Sequence, residues 1–245
     1  MPPCTKGNGL GWEVVELESN EYDIISDPDA PLYHNISESE PQVLLKSLFN
    51  CFAQIPDNGA IYSVKLCVDL PVNGIWNAPI NLSAKSPGHT FLTLTKTNGN
   101  QSISQSVGFY PIGSGGTPIR PNASGGFKNN GYPKHEYNAA LEATNITASQ
   151  FSLVLEDLIS KENSTYNIFE NNCTTIALQA FNLLMEYPLV IEPFKVQMLY
   201  SATTFIFFQS PQKLYKKMKS IHPGTGLIKE FDVISNSPES NNICL

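Results

Sequence analysis

The sequence predicts an α+β fold, a small antiparallel sheet packed on helices, from three observations. Two apolar-rich segments flank Thr97-Asn98-Gly99-Asn100, which is strong hairpin chemistry. A third segment, Ile61–Leu70, alternates apolar and polar residues with the period of a strand. Four further segments carry helical periodicity or helix-start signals, at 41–54, 147–160, 173–184 and 210–220. Of 245 residues, 41% are apolar and 10% aromatic, enough for a sizeable core. The 16 Gly and 18 Pro imply many turns around it.

Taken in order, residues 1–40 are polar, acidic and turn-rich and read as an N-terminal arm. The helix over 41–54 draws its apolar stripe from Val43, Leu44, Leu48, Phe49, Cys51 and Phe52. Pro56-Asp57-Asn58-Gly59 is a turn. In the strand Ile61–Leu70, Tyr62, Val64, Leu66, Val68 and Leu70 share one face and Cys67 lies on the other. Ser86-Pro87-Gly88 leads into a strand from His89 to Lys96, and the return strand runs from Ser102 to Tyr110. Pro111 to Pro133 holds six Gly and four Pro in 23 residues; it reads as a structureless loop, and so as a lid or a plain connector. His135–Ala143 is the next strand, and Thr147 caps a helix to Ser160. Asn172 is a good N-cap for a helix whose first residue is Cys173 and whose stripe continues through Ile176, Ala177, Ala180, Phe181 and Leu184. Ser210-Pro211 opens a last helix to Ser220, with Lys213, Lys216, Lys217 and Lys219 on its solvated face. The organisation is an arm (1–40), one domain (41–222) and a loose tail (223–245).

Charge excludes one class of partner. With 15 basic and 22 acidic residues the net charge is −7, and no stripe of Arg and Lys interleaved with aromatics offers a nucleic-acid footprint. The uncharged run Val196–Gln212 is broken by Gln and hydroxyl residues, so no transmembrane segment is expected. The start, Met1-Pro2-Pro3-Cys4, lacks an apolar signal core; synthesis in the cytoplasm is expected, with export by a signal-independent route still open. Five widely spaced cysteines read neither as a disulfide framework nor as a zinc site, and no metal or cofactor is expected.

The chemistry converges on Cys173. A thiol on the first turn of a helix feels the positive end of the helix dipole, which favours thiolate. A nearby imidazole completes a nucleophile–base pair, and a third polar group orients it. His89 and His135 each begin a strand after a turn, whereas His34 and His222 lie in loops and read as surface residues. The plainer alternative is a small hydrophobic Cys at the head of an apolar stripe.

Tyr166…Asn171-Asn172-Cys173-Thr174-Thr175 resembles the nucleophile motif of the permuted papain-like enzymes, and Ser86-Pro87-Gly88-His89-Thr90-Phe91-Leu92 resembles their histidine strand. The order, His before Cys, is similar to the circularly permuted branch of the NlpC/P60 superfamily, with its lecithin:retinol acyltransferase-like and YiiX-like proteins. Residues 41–220 also resemble a group of uncharacterised bacterial proteins, mostly of Bacteroidetes, that share Pro-Gly-His-Thr-Phe, Gly-Phe-Tyr-Pro, His-Glu-Tyr-Asn and Asn-Asn-Cys-Thr blocks. Thr174 and Thr175 replace the acidic and His residues that follow the Cys in the acyltransferase-like motif. The resemblance implies a permuted papain-like fold, Cys173 as nucleophile and His89 as its base. It implies His135 as the orienting group, with Glu136 the fallback. Tyr166 and Asn172 are expected at the substrate side, a core role for Tyr166 being the alternative. The implied activity is a cysteine hydrolase that cleaves a peptide or peptidoglycan amide through an acyl-enzyme, with a bacterial effector role conceivable. Two alternatives are a thiol-dependent lipid acyltransferase or phospholipase, for which Phe205-Ile206-Phe207-Phe208 would line a groove, and a non-catalytic binding module.

Overall fold

The computed structural model describes residues 40–77, 88–112, 122–197, 205–224 and 226–240. Within them the chain is mixed α and β, as expected. Helix α1 (Leu45–Phe49) tightens into a 3₁₀ turn at Asn50–Gln54. Strands β1 (Ile61–Asp69), β2 (His89–Asn98), β3 (Gln101–Ile112), β4 (Asn122–Asn129), β5 (Glu136–Tyr137) and β6 (Ala139–Ile146) follow. Then come α2 (Ala148–Ser160), β7 (Thr165–Asn167), α3 (Cys173–Asn182), β8 (Phe194–Gln197), β9 (Phe205–Phe208), α4 (Pro211–Ser220), β10 (Leu227–Glu230) and β11 (Ser235–Asn236). Among the described residues the main sheet has seven strands in the order β10-β6-β1-β2-β3-β4-β7, and all its pairings are antiparallel.

Period-two alternation sorts the two faces. Tyr62, Val64, Leu66 and Val68 of β1 and Leu92 and Leu94 of β2 enter the main core. There they meet Leu45 and Leu48 of α1, Phe151, Val154 and Leu158 of α2, Ile176, Ala177, Ala180 and Phe181 of α3, and Leu214 and Met218 of α4. On the other face Cys67, Phe91, Tyr137 and Ala140 form a smaller cluster. Beyond it hydroxyl pairs run along the β2–β3 hairpin, Thr93–Ser106 at 2.8 Å, Thr95–Ser104 at 2.9 Å and Thr97–Ser102 at 3.0 Å. Caps set the helix starts: Thr147 and Gln150 make a reciprocal capping box on α2, and Ser210 accepts from the Lys213 amide ahead of Pro211 on α4.

Several expectations are corrected. The predicted helix over 41–54 starts at Leu45, because the backbone of Pro41 and Val43 is hydrogen-bonded to Asn129 and Phe127 of β4. The Gly-rich stretch from Pro111 is not structureless over its described part: β3 runs on to Ile112 and 122–129 form β4. Its glycines serve close packing, since a Cβ on Gly125 would sit 2.2 Å from the Phe109 ring and 2.4 Å from the Ser164 carbonyl. The rest of that loop lies outside the described residues, and with it the lid. The strand from His135 is broken at Asn138, whose side chain accepts from the Leu70 amide and donates to Asn73 and the Val233 carbonyl. The tail beyond Pro223 is not loose where it is described: β10 is an edge strand on β6, and β11 pairs with β5. Lys213 is buried, so the basic face of α4 is smaller than the sequence implied. Cys51 is disulfide-bonded, a cross-link that five widely spaced cysteines did not announce. The N-terminal arm is outside the described residues except for Glu40.

Candidate functional site

Cys173 is the first residue of α3. The Asn172 side chain caps that helix, accepting from the Thr175 amide at 3.0 Å and hydroxyl at 3.3 Å. Both amide hydrogens of Asn172 are also used, on the Ile168 carbonyl at 2.8 Å and the Gln209 carbonyl at 2.9 Å. Asn172 therefore fixes the geometry of the helix start and has no hydrogen-bonding position to spare for a substrate. Cys173 is not disulfide-bonded and is partly exposed, whereas Cys67, also outside any disulfide, is fully buried in the sheet with its pKa pushed far up by burial.

The start of α3 touches the start of β2. Thr174 Oγ1 and Thr90 Oγ1 are 3.0 Å apart and buried, so each of Cys173 and His89 is the immediate chain neighbour of one partner in that hydrogen bond. Alternation then separates the side chains. Thr90 faces α3, and the His89 ring turns to the other face of the sheet, where it lies parallel to Phe91 at 5.9 Å between centroids. It also stacks on Tyr110 at 4.3 Å and meets the edge of His135 at 5.2 Å. The imidazole and the thiol are thus on adjacent backbones at the end of β2, with the strand end between them. Gly88 turns the chain there at a φ of 87°, and a Cβ on it would come within 2.5 Å of the Asp69 carbonyl.

His135 sits behind His89 rather than on the thiol side. Its Nδ1 is 2.7 Å from Glu40 Oε1 and its Nε2 is 3.5 Å from Asp69 Oδ2. Burial by itself would strip the His135 proton, but the Asp69 and Glu40 carboxylates outweigh it and push the pKa up to about 9. His135 is therefore an imidazolium at neutral pH. Burial favours the protonated Asp69 carboxyl and outweighs the opposing imidazolium, so its pKa is raised; at Glu40 burial is overcome by the His135 hydrogen bond, so its pKa is lowered. Asp69 is the cross-strand partner of His89, which brings the carboxylate, both imidazoles and the Tyr110 ring into one buried cluster. Glu136, the fallback orienting residue, instead accepts from Asn73 at 2.7 Å near the surface. Tyr166 is buried on β7 and stacks on Phe109 at 5.8 Å within the main core, where it packs rather than faces a groove. The side chains of Phe205 and Ile206 lie outside the described residues; Phe207 is half exposed on the β8–β9 hairpin.

Sequence reasoning missed three residues of this cluster. Glu40 closes the ion pair with His135 from 95 positions away, a link no local pattern carries. Asp69 falls on the polar face of β1, and only the register of β1 on β2 sets it opposite His89. Asn130 lay inside the stretch read as a loop, yet it is fully buried and donates to the Tyr110 hydroxyl at 2.5 Å.

Among the described residues no group of three or more His, Cys, Asp or Glu side chains could hold a metal ion, and no helix is long and apolar enough to cross a membrane. A scan against family models, a search of curated proteins and a search of solved structures each find no match to this chain.

Proposed function

We propose that this protein is a cysteine hydrolase of permuted papain-like design that cleaves an amide bond, in a peptide or in peptidoglycan, with Cys173 as nucleophile and His89 as base. The observation that carries the reading is the Thr90–Thr174 hydrogen bond at 3.0 Å, which joins the helix start bearing the thiol to the strand start bearing the imidazole. Three features support it. Cys173 is a partly exposed thiol outside any disulfide at a helix N-terminus, where the dipole and the amide donors of the first turn favour a thiolate and a developing oxyanion. The His89 ring is buried and held by Tyr110 and His135. The Cys–His order and the flanking Asn172 and Gly88 resemble the family described above.

In this mechanism His89 takes the Cys173 proton at the end of β2. The thiolate adds to the carbonyl, and the imidazolium returns the proton to the leaving amine, giving a thioester. Water, deprotonated by the same imidazole, then releases the acid and restores the thiol. The reaction requires the imidazole to reach Sγ around the strand end, so the test must address the pair. A thiol-directed activity probe should label Cys173, and turnover of peptide or peptidoglycan amides should vanish in both Cys173→Ala and His89→Ala. Labelling of Cys173 that is unchanged in His89→Ala across pH 5 to 9 would refute the pair.

A further inference from the structure

We propose that the loop at 71–77 and the exposed face of α4 form a docking surface for an anionic lipid membrane, bound from outside and not crossed. The inference goes beyond the cysteine chemistry and does not depend on it.

The sequence concentrates positive charge here. Between Glu192 and Glu230 the chain has no acidic residue and six lysines, in a protein whose net charge is −7. α4 turns Leu214, Tyr215 and Met218 into the core and leaves Lys216, Lys217 and Lys219 exposed on its outer side. Lys229 of β10 brings its charge to the end of the same helix, donating to the Lys219 carbonyl at 2.7 Å and the Ile221 carbonyl at 2.9 Å. Asp232, 3.4 Å from Lys219, offsets one of these charges.

Apolar side chains are held out beside the lysines. The Lys216 ammonium lies over the Trp76 ring, 5.2 Å from its centroid. Trp76 rests partly on the main core, while Val72 and Ile75 are 40% and 49% exposed. The turn that carries them is pinned. The Ile75 amide donates to the Val72 carbonyl at 3.0 Å, and Gly74 supplies a φ of 75°. Asn73 accepts from Asn138 at 3.1 Å and donates to Glu136 at 2.7 Å. A fixed backbone therefore presents these side chains to solvent. Aliphatic tips, an indole at their base and a group of ammonium ions match the acyl chains, interface and headgroups of an anionic membrane. A nucleic acid would give Val72 and Ile75 nothing to bury into, and lysines lack the planar fork that arginine brings to phosphate. The surface adjoins the candidate site. A Cβ on Gly88 would lie 3.1 Å from Pro71 and 3.3 Å from Pro211 at the head of α4, and Asn172 donates to the Gln209 carbonyl at 2.9 Å.

The test sediments the full chain with vesicles of phosphatidylcholine, alone or with one third phosphatidylglycerol, at low and high salt, with thermal unfolding in parallel. The chain should pellet with the anionic vesicles and not with the neutral ones, and high salt should release it. Each lysine near such a surface contributes about fivefold to partitioning, so Lys216→Gln with Lys217→Gln should weaken binding about 25-fold. Ile75→Ser should weaken it severalfold without changing the unfolding temperature. Lys46→Gln with Lys134→Gln removes the same charge from exposed positions elsewhere and should change binding less than about twofold. No binding to the anionic vesicles overturns the proposal, as does binding that high salt leaves intact. Both are read on the unmodified chain and need no variant to fold. Equal loss in the two lysine pairs also overturns it, since net charge alone would then be the cause. Long-chain polyphosphate held as tightly as the vesicles, with Ile75→Ser without effect on either, overturns the lipid assignment in favour of a soluble polyanion.

Discussion

The buried imidazolium makes a definite demand on stability against pH. His135 has its pKa raised from 6.5 to about 9. A group whose pKa rises on folding lends stability that is complete below its unfolded value and is lost as pH climbs through its folded value. His135 therefore supports the fold fully below pH 6.5 and loses that support by about pH 9. At about 1.4 kcal/mol per pH unit, the interval is worth about 3 kcal/mol, a large share of the stability of an ordinary domain. Glu40, with a lowered pKa, gives stability that is lost as pH falls, whereas Asp69, whose pKa burial raises, loses its contribution as pH rises, in the same direction as His135, so the comparison with His135→Gln separates the two. The assay is urea unfolding at fixed ionic strength from pH 6 to 9 on the wild type, His135→Gln and Glu40→Gln. Stability of the wild type should fall by about 3 kcal/mol across the range. His135→Gln should be less stable at pH 6, because two buried carboxylates lose their cation, and its decline should be flat by comparison. Glu40→Gln, with one partner left, should lose its support at lower pH than the wild type. A wild-type decline that His135→Gln reproduces in full would refute the argument.

Three further outcomes follow from the same geometry. Under native conditions Cys173 should alkylate at least tenfold faster than buried Cys67, and the two should converge on denaturation; mass spectrometry of the two peptides checks this. Thr174→Val should cost about 1–3 kcal/mol in unfolding free energy by orphaning the buried Thr90 hydroxyl, and Thr90→Val added to it should recover part of that loss, a double-mutant cycle read by chemical denaturation. Gly108→Ala should cost about 1–3 kcal/mol and displace the His89 ring, seen as a shifted His89 resonance, because the new methyl meets Nε2 and Asn130 Oδ1; a neutral effect on both readouts would show that the cluster has slack.

How much of this was legible depends on how local the cause is. β1, the β2–β3 hairpin, α2, α3 and α4 follow from alternation, from the Asn98-Gly99 turn and from Thr147, Asn172 and Ser210 as caps, each a signal confined to a few neighbouring residues. The same local logic found a thiol at a helix start and a histidine at a strand start. It failed wherever distant chain decided the outcome. Gly125 and Gly126 look like loop glycines until Phe109 and Ile112 are packed against them, and the tail looks loose until β6 offers an edge. His135 looks like a partner for His89 until Asp69 and Glu40, neither near it in sequence, take both its nitrogens. The sequence by itself determined β1, the β2–β3 hairpin, the caps and the residue that heads α3, because propensity and periodicity act over a few residues. Only the tertiary structure decided that His89 turns to the face away from α3, that Asn130 lies against it over a bare Gly108, and that a charged histidine is buried behind them, because burial, register and ion pairing arise between segments the sequence keeps far apart.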